Sequence, residues 1–172
     1  MVRTTSSHNT KTHLRAYQAS DLGAVHEINV QGVPGIGAVS QLQLQDYIAR
    51  GHCIIAANAA GRPIGFLLSF GPDIDYASKN YLWFTKRYRD FTYIDRIGVA
   101  ADWRGHSIGQ KLYHSLFEQP GMETRLIGCE VNSNPPNPRS LKFHQRLGFE
   151  EIGQHTYSPD YSVIYLARGP HL

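Results

Sequence analysis

The stretch WRGHSIGQKLY, residues 103–113, decides how the rest of the chain is read. Gly105 and Gly109 stand close together, and Arg104 precedes the first of them. Upstream, TYIDRIGV (residues 92–99) is rich in Tyr, Ile and Val and reads as a strand. Downstream, Ile108, Leu112, Leu116 and Phe117 recur at helical spacing, which predicts a helix from Ser107 to Glu118, ended by Pro120 and Gly121. A glycine loop thus joins a strand to a helix N-terminus. Such an N-terminus offers unpaired N–H groups and the positive end of the helix dipole, and glycine lets an anion approach the backbone. An ordinary capped turn has the same physics, so the stretch by itself leaves both readings open. A P-loop is excluded: the glycines are too close, and Lys111 is followed by Leu112 rather than Ser or Thr.

Upstream, THLRAYQ alternates as a first strand, and Ser20 and Asp21 start a helix carrying Leu22, Val25, Ile28 and Asn29. GVPGIG breaks that helix; it follows no strand, so it is not a dinucleotide fingerprint. SQLQLQDYIAR predicts a second helix closed by Gly51. HCIIAANAAGRPIGFLLSF predicts a hairpin turning at residues 58–63, and GPDIDYASKNYLWFTKRYRDF is a long connection. Downstream, TRLIGCEVN is a strand. In NPPNPRSLKFHQRLG, Asn137 is a good N-cap, Pro138 suits the first helical turn and Gly148 closes the helix. FEEIGQHTY and YSVIYLAR form a final hairpin. The pattern is that of an α/β domain over residues 12–172, with residues 1–11 expected as a mobile leader.

Composition narrows the function. The 172 residues are 41% hydrophobic and 18% charged, which suits a folded core and not a disordered tail. The net charge of +3 is too small to argue for a nucleic-acid partner. The 2 cysteines lie far apart, which points to a reducing compartment and a cytoplasmic protein. The 9 histidines show no metal-ligand spacing, so no metal is expected. No apolar run is long enough to cross a bilayer, and no membrane partner is expected.

VAADWRGHSIGQKLY resembles the coenzyme A pyrophosphate loop of the GNAT acyltransferase superfamily, Arg/Gln-x-x-Gly-x-Gly/Ala between a strand and a helix. NPRSLKFHQRLGFEEIG resembles the second signature of that family, Asn-x-x-Ser/Ala-x-x-Phe/Leu-Tyr-x-x-x-Gly-Phe. The likeness covers residues 12–168. It implies a mixed sheet of about seven strands, splayed at its central strands and flanked by about four helices. Two positions depart from the pattern: Ser107 stands where the loop has its middle glycine, and His144 where the second signature has tyrosine. Ser107 could cap the helix or donate its hydroxyl to a phosphate.

The resemblance implies transfer of an acetyl group from acetyl-CoA to the primary amine of a small molecule or peptide. Backbone N–H groups of Arg104, Gly105, His106, Ser107, Ile108 and Gly109 would hold the pyrophosphate. Val99 and Ile97 on the strand, with Asn137, Ser140 and Phe143, would complete the cofactor surface. The pantetheine arm would fill the splay near Glu130 like an added strand. For a general base, Asp95 and Glu130 flank the splay; Asp95 has a second reading as the ion-pair partner of Arg96, Glu130 as a solvated carboxylate, and a water relay with no dedicated base is a third route. His144 is the candidate acid for the departing thiolate, imidazole having a reference pKa of about 6.5, or else a plain helix-face residue.

In YLWFTKRYRDF, rings alternate with Lys86, Arg87 and Arg89. Such a segment could stack on single-stranded nucleic acid, pack on the core, or, by the resemblance, shape the acceptor pocket through Trp83, Arg87, Tyr88 and Tyr93. A coenzyme A-binding sensor without turnover is the competing function, and many relatives of this family form homodimers.

Overall fold

In the computed structural model, which describes residues 11–169, the alternating segments become one sheet of seven strands. They are β1 (Thr12–Ala16), β2 (His52–Asn58), β3 (Pro63–Phe70), β4 (Phe91–Val99), β5 (Leu126–Asn134), β6 (Glu150–Ser158) and β7 (Tyr161–Arg168), in the order β1-β2-β3-β4-β5-β7-β6. The leader expected at residues 1–11 lies, except for Lys11, outside the described residues. Every neighbouring pair is antiparallel except β4 and β5. A parallel pair needs a crossover, and helix α4 (Ile108–Phe117), which follows the glycine loop, supplies it.

The parallel pair is short. Phe91, Thr92 and Tyr93 face Leu126, Ile127 and Gly128, and there the pairing stops. Strand β4 continues to Val99 on β3 alone, and β5 continues to Asn134 on β7 alone. The sheet therefore opens into a V, the splay that the family resemblance implies. A β-bulge sits at the opening: Leu68 faces Arg96 and Ser69 faces Ile94, leaving Asp95 as the extra residue. A bulge bends its strand and re-aims the side chain it carries.

The helices α1 (Leu22–Gly32), α2 (Gln41–Arg50), α3 (Lys79–Thr85), α4 and α5 (Pro138–Arg146) number five where about four were expected. The addition is α3, inside the long connection. Its seven residues are too few to be stable alone. The Ser78 hydroxyl accepts from the Tyr81 N–H, and Tyr81 and Phe84 are buried against the sheet, so tertiary packing makes this helix. Helix α5 starts as its sequence predicts, with the Asn137 side chain accepting from the Ser140 N–H. Alternate residues of β2 feed two cores: Cys53, Ile55 and Ala57 on one face, Ile54 and Ala56 on the other. Both cysteines are buried and free.

Candidate active site

Helix α4 makes its first backbone bond from the Lys111 N–H to the Ser107 carbonyl. The N–H groups ahead of Lys111 are those a helix start leaves without an intrahelical acceptor. Gly105 has φ +85°, and a Cβ there would meet nothing within 4 Å, so the backbone is bare towards solvent. This open shelf forms one side of a cavity of about 620 Å³. Ile97, Val99, Arg104, Gly105, Ser107, Ile108, Gly109, Asn137, Ser140 and Phe143 all line it, together with Arg139 and Arg146. Unpaired donors and arginines on one wall suit a polyanion. The residues present therefore fit the phosphates of coenzyme A.

Three details differ from the sequence expectation. His106 does not line this cavity; its Nδ1 lies 3.2 Å from the Arg104 carbonyl and its ring leans on Trp103. The Arg104 N–H donates to the Ala101 carbonyl, so the run of available donors starts after it. The Arg104 side chain turns back to donate to the carbonyls of Val99 and Gln31, tying the loop to the ends of β4 and α1. Ser107 makes no side-chain cap bond and sits at φ +58°, a left-handed conformation that glycine adopts freely.

A second cavity of about 430 Å³ lies in the V. The two cavities share Gly35, Ile36, Ile97, Asn137 and Ser140, so they are contiguous. All three candidate chemical residues, Asp95, Glu130 and His144, line the second, as does Tyr93. The Tyr93 hydroxyl donates to Glu130 Oε2 at 2.7 Å. Burial pushes the Glu130 carboxyl up to about 7, the Asp95 charge adding to the rise while the Tyr93 hydrogen bond opposes it. Asp95 is fully engaged: it accepts from the Tyr76 hydroxyl and from Arg96 Nε, both at 2.6 Å. Arg96 also donates to Asn29 Oδ1 and the Gly37 carbonyl. The Asp95–Arg96 pair thereby fastens the loops over the cavity to β4.

His144 is 4% exposed, and both ring nitrogens are used. Nδ1 lies 2.8 Å from the Ser140 carbonyl, which only accepts, so Nδ1 carries the proton. Nε2, 2.8 Å from the Tyr113 hydroxyl, then accepts. Burial lowers the His144 pKa, which favours this neutral form.

A sequence profile of the Acetyltransferase (GNAT) family matches residues 24–149. The chain belongs to that family. An aminoglycoside N(6')-acetyltransferase type 1 from Klebsiella pneumoniae is 25% identical over 108 residues, 63% of this chain and 52% of the relative, so the chain spans about half the length of the curated relatives it matches. Among solved structures, NAA60 of Arabidopsis thaliana with a bisubstrate analogue superposes with a TM-score of 0.72 at 16% identity, over 92% of this chain and 97% of that one. The ribosomal-protein-S18-alanine N-acetyltransferase of Escherichia coli gives 0.68 at 16% identity, over 91% and 92%. These likenesses show the GNAT fold.

On this GNAT fold, Trp83, Arg87 and Tyr88 do not line the V. Trp83 stacks on Tyr165 with centroids 3.9 Å apart, and the Arg87 guanidinium lies 3.9 Å over Trp83. Tyr88 packs near Trp83 and Phe84. The structure brings Tyr93 to the cavity and leaves the other three in a cluster with Phe84 and Tyr165. Sequence reasoning missed Tyr76, Tyr113 and Tyr161, and the contacts Arg96 makes beyond Asp95, and missed that GVPGIG does more than break a helix: residues 31–37 wall both cavities. Only the glycine density of that segment signals a close approach. Among the described residues, no cluster of three His, Cys, Asp or Glu could hold a metal, and no helix is long and apolar enough to cross a membrane.

Proposed function

We propose that the protein transfers an acetyl group from acetyl-CoA to the primary amine of a small molecule by direct attack. The observation that carries this is a carboxyl raised to about 7, Glu130, lining a cavity continuous with the anion shelf. Acetyl-CoA, when bound, supplies the acetyl group as an activated thioester. The residues of the chain do the rest. The shelf from Gly105 to Gln110 and the arginines 104, 139 and 146 hold and neutralise the phosphates. Glu130 accepts the proton of the attacking amine, a task suited to a base titrating near neutral pH. Tyr93 fixes one oxygen of that carboxylate, and the Asp95–Arg96 pair keeps the covering loops in place. Most of the acceleration comes from holding two reactants together. A sensor without turnover has no use for a carboxyl poised in this way, which supports catalysis over that alternative.

The test is to incubate the protein with acetyl-CoA and a broad amine panel, following thiol release and the acetylated product by mass spectrometry. Thiol release with a matching product is expected, and Glu130→Gln should reduce it by about 100-fold. Tight coenzyme A binding with no thiol release from any amine would leave the sensor reading in its place.

A further inference from the structure

The charges on the wall of the V restrict what can enter it. Asp95 and Arg96 are paired at 2.6 Å, with side chains 4% and 6% exposed, and neutralise one another. That leaves Glu130 as the one carboxylate on the wall with no cation beside it among the described residues. A second ammonium group in the acceptor would enter this space unpaired, which is costly away from water. A carboxylate on the acceptor fares no better, because Arg96, the cation in the cavity, is already held by Asp95, Asn29 and the Gly37 carbonyl.

The rest of the wall is uncharged: apolar residues such as Ile94, Ile97 and Val131 alternate with polar ones that can hydrogen-bond. Tyrosines 76, 93 and 161 line it. The Tyr161 hydroxyl accepts from Asn80 Nδ2, so its own proton is left to donate. The volume, about 430 Å³, corresponds to about fourteen water molecules at about 30 Å³ each.

We infer that the acceptor is a compact amine with a single positive charge and an uncharged hydrogen-bonding body, such as an amino alcohol, an amino sugar or an amino-acid amide. This rests on the acetyltransferase reading above. It separates the protein from enzymes acting on polycationic amines, from those acting on free amino acids and from those that need a long peptide.

The test uses the intact protein saturated with coenzyme A, titrated by calorimetry with ethanolamine, glucosamine and alaninamide, and in parallel with spermidine, kanamycin, alanine and a tetrapeptide amide with a free N-terminus and uncharged side chains. Thiol release from acetyl-CoA is measured with the same amines. At least one compact monoamine should bind at least tenfold more tightly than every comparison amine and give the highest kcat/KM. Glu130→Gln should lose at least tenfold in affinity for that amine while its coenzyme A affinity and melting temperature show a folded, loaded protein. Preference for spermidine, kanamycin, alanine or the tetrapeptide, with thiol release intact, overturns this inference and leaves the acetyltransferase reading standing. Unchanged amine affinity in Glu130→Gln overturns the charge argument. Absence of both coenzyme A binding and thiol release overturns both readings together.

Discussion

Tyr93 and Glu130 face one another where the sheet comes apart, the hydroxyl of one donating to Oε2 of the other at 2.7 Å. Tyr93 is the last residue of β4 paired with β5, and Glu130 lies two positions past its partner Gly128. Below them the ladder satisfies the backbone; above them the strands diverge and a side-chain bond spans the gap. The bond joins the architecture to the proposed chemistry, because the V between the diverging strands is lined by the Glu130 carboxyl to which that reading gives the part of base.

The raised Glu130 carboxyl has a consequence for stability as well as rate. Between its ordinary value of 4.5 and about 7, Glu130 holds a proton in the folded protein and has lost it in the unfolded chain. Stability is then fully present below pH 4.5 and falls as pH rises towards 7, by on the order of 3 kcal/mol. Glu130→Gln should remove that slope and be the more stable protein at pH 8, though catalytically poor. Chemical denaturation at pH 5 and pH 8 measures both slopes. In the wild type, kcat/KM should rise with pH through about 7, a limb absent from the variant.

Tyr93→Phe tests the bond directly. The hydroxyl favours the charged carboxylate, so its loss should push the Glu130 pKa above its present value of about 7. The alkaline-going limb of the rate profile should move to higher pH while the plateau is retained. Coenzyme A affinity should be unchanged, since Tyr93 lines only the second cavity. A limb that stays in place would remove Glu130 as its source.

At the anion shelf, Ser107 carries a backbone strain that its side chain does nothing to relieve. Ser107→Gly should stabilise the protein by up to about 1 kcal/mol and leave coenzyme A affinity equal or better. Gly105→Val should do the reverse. At φ +85° a β-branched residue is strained, and it would crowd the shelf. Calorimetry showing unaltered coenzyme A affinity in Gly105→Val would place the phosphates elsewhere.

Trp83 should behave as a packing residue. It is stacked on Tyr165 and covered by Arg87. Trp83→Ala should lower stability by about 2–4 kcal/mol and cut turnover of every amine by the same factor. A changed ranking of amines, at unchanged melting temperature, would return Trp83 to the acceptor pocket.

Most of the sheet was legible because its evidence is local: period-two alternation, turn residues, and an Asn–Pro helix start at 137–138 that the structure reproduces. The glycine loop was legible from its place between a strand and a helix start, whereas the splay came from the family resemblance, and β4 and β5 do part after three paired residues. Helix α3 was not legible as a helix, because its stability comes from Tyr81 and Phe84 packing on the sheet rather than from propensity. The contacts of Arg96 with Asn29 and Gly37, and of Tyr76 with Asp95, were invisible for a related reason. In each the partners lie on different elements, and no spacing in the sequence encodes that meeting. The pairing of Asp95 with Arg96 was legible as an alternative, since the two are neighbours in the chain; the bulge that aims Asp95 into the V was not.

His144 is where motif and structure pull furthest apart. The second signature has tyrosine there, and an imidazole near its reference pKa would make a serviceable acid. In the structure Nδ1–H donates to the Ser140 carbonyl and Nε2 accepts from the Tyr113 hydroxyl, so neither nitrogen is left to donate to a thiolate. Burial further disfavours the cation that an acid would need. A thiolate leaves with little acid help, so the reaction does not demand one. His144→Phe should therefore cut turnover by no more than about threefold at pH 7, and should cost about 1–3 kcal/mol of stability by stranding the buried Tyr113 hydroxyl. His144→Tyr, which restores the family residue, should also be destabilising, because the longer side chain meets Tyr113 where a hydrogen bond of 2.8 Å already fills the space. Shortening the partner should relieve this: Tyr113→Phe with His144→Tyr should recover most of the loss, giving a coupling energy of at least about 1 kcal/mol in a double-mutant cycle. Additive losses would mean that the two side chains do not share the space. A drop of about 100-fold in turnover for a stably folded His144→Phe, with coenzyme A affinity intact, would restore the imidazole to the chemistry.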